Sequence, residues 1–281
     1  MAAGEDSSVL RVRTPDGTEI AVWRTGSGPP LVLVHGTPAD HTRWRPLLPY
    51  LEPHFTVHAL DRRGRGASTD SPDYALEREF EDVAAVVDAV AAATGSTVSV
   101  YGHSHGGFVA FGAATLTSNI DKLVLYEGWP VPDPQVLALP AVLEARMDAL
   151  LAAGDRDAVV ELLFRGMEDL ADEDMAAFRA APSWAGRVAA AHTITREVRG
   201  ELTVQLDEDV ARAIRVPVLL VTGEHSADAA KPYAEVVAGA LPNARILVID
   251  GHEHVADVLD PALFASRVLP FLTHSGPNRG R

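Results

Sequence analysis

The sequence predicts an α/β fold: a mostly parallel twisted sheet with an opening antiparallel hairpin, helices on both faces, and an inserted helical lid. Three observations predict it. Short runs rich in apolar residues recur at 31–34, 55–60, 98–101, 122–126, 216–221 and 244–249, as strands covered on both faces require. Helical patterns separate most of these runs, and such alternation builds a parallel sheet through right-handed crossovers. The rhythm breaks once, between 128 and 215, where strand signals fade and helical patterns follow one another.

Taken in order, residues 8–13 and 19–24 read as two strands joined by the turn Thr14-Pro15-Asp16-Gly17, a hairpin signal. Leu31-Val32-Leu33-Val34 is the first buried strand and runs into His35-Gly36-Thr37-Pro38. Trp44, Leu47, Leu48 and Leu51 stand at helical spacing within 41–51, and the strand at 55–60 ends in Asp61-Arg62-Arg63-Gly64-Arg65-Gly66-Ala67-Ser68. Segment 77–93 puts Phe80, Val83, Ala84, Val87, Val90 and Ala91 on one helical face, and Gly95 ends it. A strand from 98, a helix over 105–116 and a strand over 122–126 follow. Pro130, Pro132, Pro134 and Pro140 open an irregular entry to helical patterns at about 137–153, 155–168, 173–181 and 185–199. Strand 216–221, helix 229–240, strand 244–249 and a final helix over about 257–272 complete the chain. The expected division is a core of 1–127 and 216–281 with a lid of 128–215. Trp129, Met147, Phe164, Met167, Phe178 and Trp184 of the lid either line a pocket or pack its helices together; packing is the more ordinary role.

With 281 residues, 47% of them hydrophobic, the chain can bury a sizeable core. A net charge of −15 repels a phosphate backbone, which argues against nucleic acid as a partner. The absence of cysteine excludes disulfides, thiolate catalysis and cysteine-ligated metals. The opening Met-Ala-Ala-Gly-Glu-Asp-Ser-Ser has no basic region followed by an apolar run, and no stretch approaches the ~20 apolar residues of a membrane span. The expectation is a cytoplasmic protein, monomer or homodimer, acting on a small molecule.

The chemistry concentrates at Gly102-His103-Ser104-His105-Gly106. Elsewhere such a string would be an ordinary tight turn. Between a β-branched strand and an apolar helix, it is a strand-to-helix turn that exposes a strained serine at the carboxyl edge of the sheet. The helix start aims N–H groups and a positive dipole end at the same spot. Ser104 is therefore the candidate nucleophile, and its hydroxyl needs a base. His252 and His254 are the two late candidates.

Together, the His35-Gly36-Thr37-Pro38 loop, the 61–68 turn, the elbow around Ser104 and a late histidine before the last helix resemble the α/β-hydrolase superfamily, in its serine-nucleophile branch with a helical lid. The resemblance implies a catalytic histidine seven residues before a proline, and Pro261 is seven past His254. It also implies Gly or Gln two residues before that histidine, a place His252 occupies. His254 is thus the expected base, with His252 shaping the turn. The acid departs from the commonest pattern: Ser226 stands where the family usually carries Asp. Glu127, at the end of a strand whose position supplies the acid in some branches, is the expected substitute. Asp228 is the other, and no acid at all is the third reading. The resemblance implies an oxyanion hole from the backbone N–H groups of Thr37 and His105. The His105 side chain either contacts substrate or faces the lid. His35 is expected to brace its loop, and Arg62, Arg63 and Arg65 to serve the turn rather than an anionic substrate.

The implied function is a serine hydrolase of a small, largely apolar ester, thioester or lactone, with no metal or organic cofactor. The alternatives are carbon–carbon bond hydrolysis, perhydrolysis or a cofactor-free lyase or cyclase step on the same triad. A binding protein on a catalytically dead scaffold rests only on Ser226. Epoxide hydrolases and haloalkane dehalogenases of this fold carry Asp at the elbow, so Ser104 argues against both.

Overall fold

The computed structural model describes residues 9–168, 172–227 and 230–274. The strands are β1 (Val9–Arg13), β2 (Glu19–Gly26), β3 (Pro30–Val34), β4 (Thr56–Leu60), β5 (Val98–His103), β6 (Ile120–Tyr126), β7 (Val218–Gly223) and β8 (Ala244–Ile249). They form one sheet in the order β1-β2-β4-β3-β5-β6-β7-β8. The β1–β2 and β2–β4 pairs are antiparallel, and every other pair is parallel. The chain steps from β3 out to β4 and then crosses back over β3 to β5. The carboxyl ends of β3 and β5 therefore diverge at a topological switch point, where open α/β sheets bind their ligands. The loop after β3 is His35-Gly36-Thr37-Pro38, and the residue after β5 is Ser104.

The helices are α1 (Leu48–Leu51), α2 (Leu76–Thr94), α3 (His105–Ala113), α4 (Ala141–Ala152), α5 (Arg156–Glu168), α6 (Asp172–Ala180), α7 (Trp184–Ala189), α8 (Ile194–Glu201), α9 (Glu208–Ala213), α10 (Ala230–Ala240), α11 (Ala256–Leu259) and α12 (Pro261–Thr273). On one sheet face Val83, Val87 and Val90 of α2, Phe108 of α3 and Val237 of α10 pack against Val32, Val100 and Leu220. On the other, Trp44, Leu51 of α1 and Phe264 and Val268 of α12 cover Leu33, Tyr101 and Val221. All six residues of β5 are buried, which explains its lack of polar alternation.

Proline accounts for two of the differences from the expected helices. The helix expected over 41–51 is a 3-10 turn at His41–Trp44 followed by α1, because Pro46 and Pro49 supply no N–H to continue the hydrogen-bond ladder. The expected final helix divides into α11 and α12 at Pro261, which opens α12. The pattern at 185–199 divides into α7, a 3-10 turn and α8. Helix α3 stops at Ala113 rather than 116, and the Thr115 hydroxyl takes the Gly112 carbonyl at 2.7 Å. Helix α9 adds an element beyond the expected ones; the Asp207 side chain caps it by accepting from the N–H groups of Asp209 and Val210.

The large apolar side chains between β6 and β7 mostly pack. Trp129 joins the sheet-face core. Met147, Phe164 and Trp184 form a cluster of their own with Phe178 against it, and the Phe164 and Phe178 rings meet edge-on at 4.6 Å. The Met167 side chain lies outside the described residues. Among the described residues, no helix is long and apolar enough to cross a membrane.

His58 on β4 is 5% exposed, and neither ring nitrogen has a hydrogen-bond partner among the described residues. Burial, reinforced by the Arg24 charge, pushes its pKa down to about 4 from 6.5. The unfolded chain thus binds a proton that the folded one refuses. This contribution to stability is complete above pH 6.5 and is lost as pH falls from 6.5 to about 4, to the extent of about 3 kcal/mol. His58→Leu is expected to flatten the pH dependence of the urea midpoint across that window. Equal slopes in variant and wild type would refute this assignment. His35 and His103, buried with lowered pKa values, act in the same sense in both proteins, so the difference isolates His58.

Candidate active site

Two non-glycine residues among those described have positive φ: Ser104 at 54° and Glu127 at 46°. Such backbone costs an ordinary residue about 1–3 kcal/mol and persists where the surroundings over-determine it. At Ser104 the fold leaves no room for relaxation. Its N–H donates to the Tyr126 carbonyl at 2.8 Å, and its own carbonyl accepts from the N–H of Gly107 at 2.7 Å. A Cβ on Gly106 would lie 2.2 Å from the Val34 carbonyl oxygen, so β3 and the start of α3 touch only because that residue is glycine. A Cβ on Gly36 would lie 2.8 Å from the Ser104 Cβ; the loop after β3 thus abuts the serine. The backbone N–H groups of Thr37 and His105 have no hydrogen-bond partner among the described residues.

Glu127 follows β6 and is held by β7, its N–H donating to the Val221 carbonyl at 3.1 Å. Its Oε1 accepts from the Gly223 N–H at 2.8 Å, the Thr222 hydroxyl at 2.9 Å and the Ser226 hydroxyl. Its Oε2 accepts from His254 Nδ1 at 2.7 Å. Burial alone would raise the Glu127 pKa; the hydrogen bond and charge of His254, with the Ser226 hydroxyl and Gly223 N–H, outweigh it and hold the carboxyl below the usual range. The side chains of His254 and Glu127 are 30% and 10% exposed, so the imidazole keeps access that the carboxylate lacks. Ser226 is thus a donor to the carboxylate of Glu127. Asp228 lies outside the described residues.

The loop carrying His254 is clamped from beneath. The Tyr126 hydroxyl donates to the Glu253 carbonyl and accepts from the Ala256 N–H at 3.1 Å. His103 Nε2 lies 2.8 Å from the His254 carbonyl; a carbonyl only accepts, so Nε2 carries a proton, and burial holds the ring's pKa well below the usual histidine value. Asp257 anchors the following turn through a bidentate pair with Arg43, at 2.5 and 3.0 Å, and the Tyr101 hydroxyl at 2.8 Å. Ser104 and His254 are joined through His103, whose ring centroid is 4.6 Å from that of His254. No direct hydrogen bond links the Ser104 hydroxyl to His254 among the described residues.

The remaining candidates fall outside this arrangement. His252 lies 3.7 Å from Asp260, and its carbonyl accepts from the His225 N–H. His35 contacts the Gly36 carbonyl through Nδ1 and accepts the Arg62 N–H on Nε2, bracing the loop as expected. Arg63 pairs with Asp82 and Asp16. Arg62 pairs with Glu79 and Glu197, and Arg65 with Glu197. The His105 side chain, fully buried, meets this last group at Glu79, 3.5 Å from Nε2, and holds Glu201 2.6 Å from Nδ1. Sequence reasoning did not find His103, Tyr126, Glu79, Glu197 or Glu201. The histidine inside the elbow was a visible signal for the first; the acidic residues looked like ordinary helix surface.

A sheet of this order, with a strained serine after β5 and a carboxylate–imidazole pair after β6 and β8, defines a protein of the hydrolase class of α/β folds. The chain belongs to the alpha/beta hydrolase family, whose profile matches residues 31–267. An alpha/beta hydrolase from Sphaerobacter thermophilus is similar in structure, with 35% identity and a TM-score of 0.78 over 94% of this chain and 100% of that one. A putative carbamate hydrolase from Pseudomonas savastanoi is 26% identical over 90% of this chain and 97% of the relative. A 2-(acetamidomethylene)succinate hydrolase from Mesorhizobium japonicum is 27% identical over 89% and 90%. The protein is a hydrolase by class.

Proposed function

We propose that this chain is a serine hydrolase that cleaves a carboxylic ester, thioester or lactone through an acyl-enzyme. Ser104 is the nucleophile, His254 the base and acid, and Glu127 the orienting carboxylate. The observation that carries this reading is the 2.7 Å contact between His254 Nδ1 and a Glu127 carboxylate fixed by three further donors. A carboxylate accepts only, so the imidazole keeps its proton on Nδ1 and its lone pair on Nε2.

The Ser104 hydroxyl gives its proton to Nε2 as Oγ bonds to the carbonyl carbon, and the carbonyl π electrons move to oxygen. The backbone N–H groups of Thr37 and His105 receive that oxyanion. Collapse breaks the bond to the leaving group, which takes the proton from His254. Water repeats the sequence and frees Ser104. The hydrogen bond from Ser104 to His254 belongs to the substrate complex, since catalytic hydrogen bonds tighten there.

We read residues 128–215 as a lid on a core of 1–127 and 216–281. In support, β6 and β7 pair directly across the intervening segment, Leu123 against Val218, and the helices between them share an apolar cluster. The test is intact-mass labelling with a fluorophosphonate alongside hydrolysis of short p-nitrophenyl esters. The expected result is one adduct and measurable turnover; neither in folded protein would refute the reading.

A further inference from the structure

The side chains of the two residues proposed as oxyanion donors end on one helix. The Thr37 hydroxyl donates to Glu197 Oε2, and His105 Nδ1 lies 2.6 Å from Glu201 Oε1. Glu197 and Glu201 stand four apart on α8 and so share a helical face. The loop after β3 and the start of α3 come from different parts of the chain, and α8 touches both.

The charges around this bridge balance. Arg62, Arg65 and a protonated His105 face Glu79, Glu197 and Glu201. Arg62 reaches Glu79 at 2.6 Å and Glu197 at 3.1 Å, Arg65 reaches Glu197, and His105 Nε2 lies 3.5 Å from Glu79. Tyr74 donates to Glu79 at 3.0 Å, and Arg65 to the Thr193 hydroxyl at 2.6 Å. Burial and the Arg62 charge work against protonation of His105, but Glu197, Glu201 and Glu79 prevail and raise its pKa to about 9. Removing one partner from such a buried group leaves an uncompensated charge, so the arrangement has little freedom to drift.

We infer that Glu197 and Glu201 are positioning residues that set the separation of the Thr37 and His105 N–H groups, so that α8 staples the oxyanion hole from above. This rests on the acyl-transfer reading. An interaction that aligns donors for the tetrahedral oxygen acts on the transition state and not on the bound ester.

The test compares Glu201→Gln, Thr37→Val and Thr37→Ser with wild type, and reads kcat and KM for a p-nitrophenyl ester and the inhibition constant of a boronic acid, which forms a tetrahedral adduct with an activated serine. Thr37→Val removes the hydroxyl while keeping the shape and the backbone N–H, so it serves where a charge change at Glu201 impairs folding. Glu201→Gln and Thr37→Val are each expected to lower kcat about 10- to 100-fold with KM within about twofold, and to weaken the boronic acid by a similar factor. Thr37→Ser should restore both to within about threefold. Unchanged kcat in both variants, or a loss confined to KM with boronic acid affinity intact, would overturn the inference while leaving the acyl-transfer reading in place. A wild type that neither turns over nor is labelled would overturn both.

Discussion

Ser104→Ala is expected to lower ester hydrolysis by at least about 10⁴-fold and to abolish fluorophosphonate labelling, with the fold retained. The residual rate would come from the oxyanion hole and binding alone. A second substitution at the same position separates strain from chemistry. Ser104 sits at φ 54°, which glycine adopts without penalty. Ser104→Gly should therefore be as inactive as Ser104→Ala yet more stable than it by about 1 kcal/mol. Equal melting temperatures would mean that the elbow stores no strain. Activity surviving in either variant would remove the serine from the mechanism.

Glu127→Gln is expected to cost about 10³- to 10⁴-fold in kcat, because it reverses the histidine tautomer. Three donors surround Oε1: the Thr222 hydroxyl, the Gly223 N–H and the Ser226 hydroxyl. The glutamine carbonyl would stay among them and turn its NH₂ toward His254 Nδ1. The imidazole would then carry its proton on Nε2, the nitrogen that must accept one from Ser104. Ser226→Ala leaves the carboxylate and its contact with His254 in place and should cost about tenfold, the loss of one hydrogen bond to a charged acceptor. If Ser226→Ala costs as much as Glu127→Gln, or Glu127→Gln stays within about tenfold, the acid has been misassigned.

Much of this arrangement was readable because it depends on neighbours in the chain. The buried runs of β3, β5 and β7 carry their own signature, and the elbow glycines flank Ser104 directly. The seven-residue spacing from His254 to Pro261 is likewise local, since Pro261 opens α12. What resisted reading depends on long separations. Glu127 meets Ser226 across 99 positions, so the serine that looked like a missing acid is understood only once β6 and β7 lie side by side. Thr37 and Glu197 are 160 positions apart. Nothing in the periodicity of α8 distinguishes a carboxylate that faces solvent from one sealed between two arginines. The helix break at Pro46 is written in the sequence, but Trp44, Leu47, Leu48 and Leu51 continue a helical spacing across it.

The most direct test of acyl transfer is to trap the intermediate. Wild-type protein mixed with excess p-nitrophenyl acetate and quenched during the burst should gain the mass of one acetyl group, and fragmentation should place it on Ser104. The burst of p-nitrophenol should match the amount of protein, as covalent catalysis requires when deacylation limits turnover. Turnover with a stoichiometric burst but an acetyl group on another residue, or an acetylated Ser104 that never hydrolyses while the ester is consumed, would contradict it.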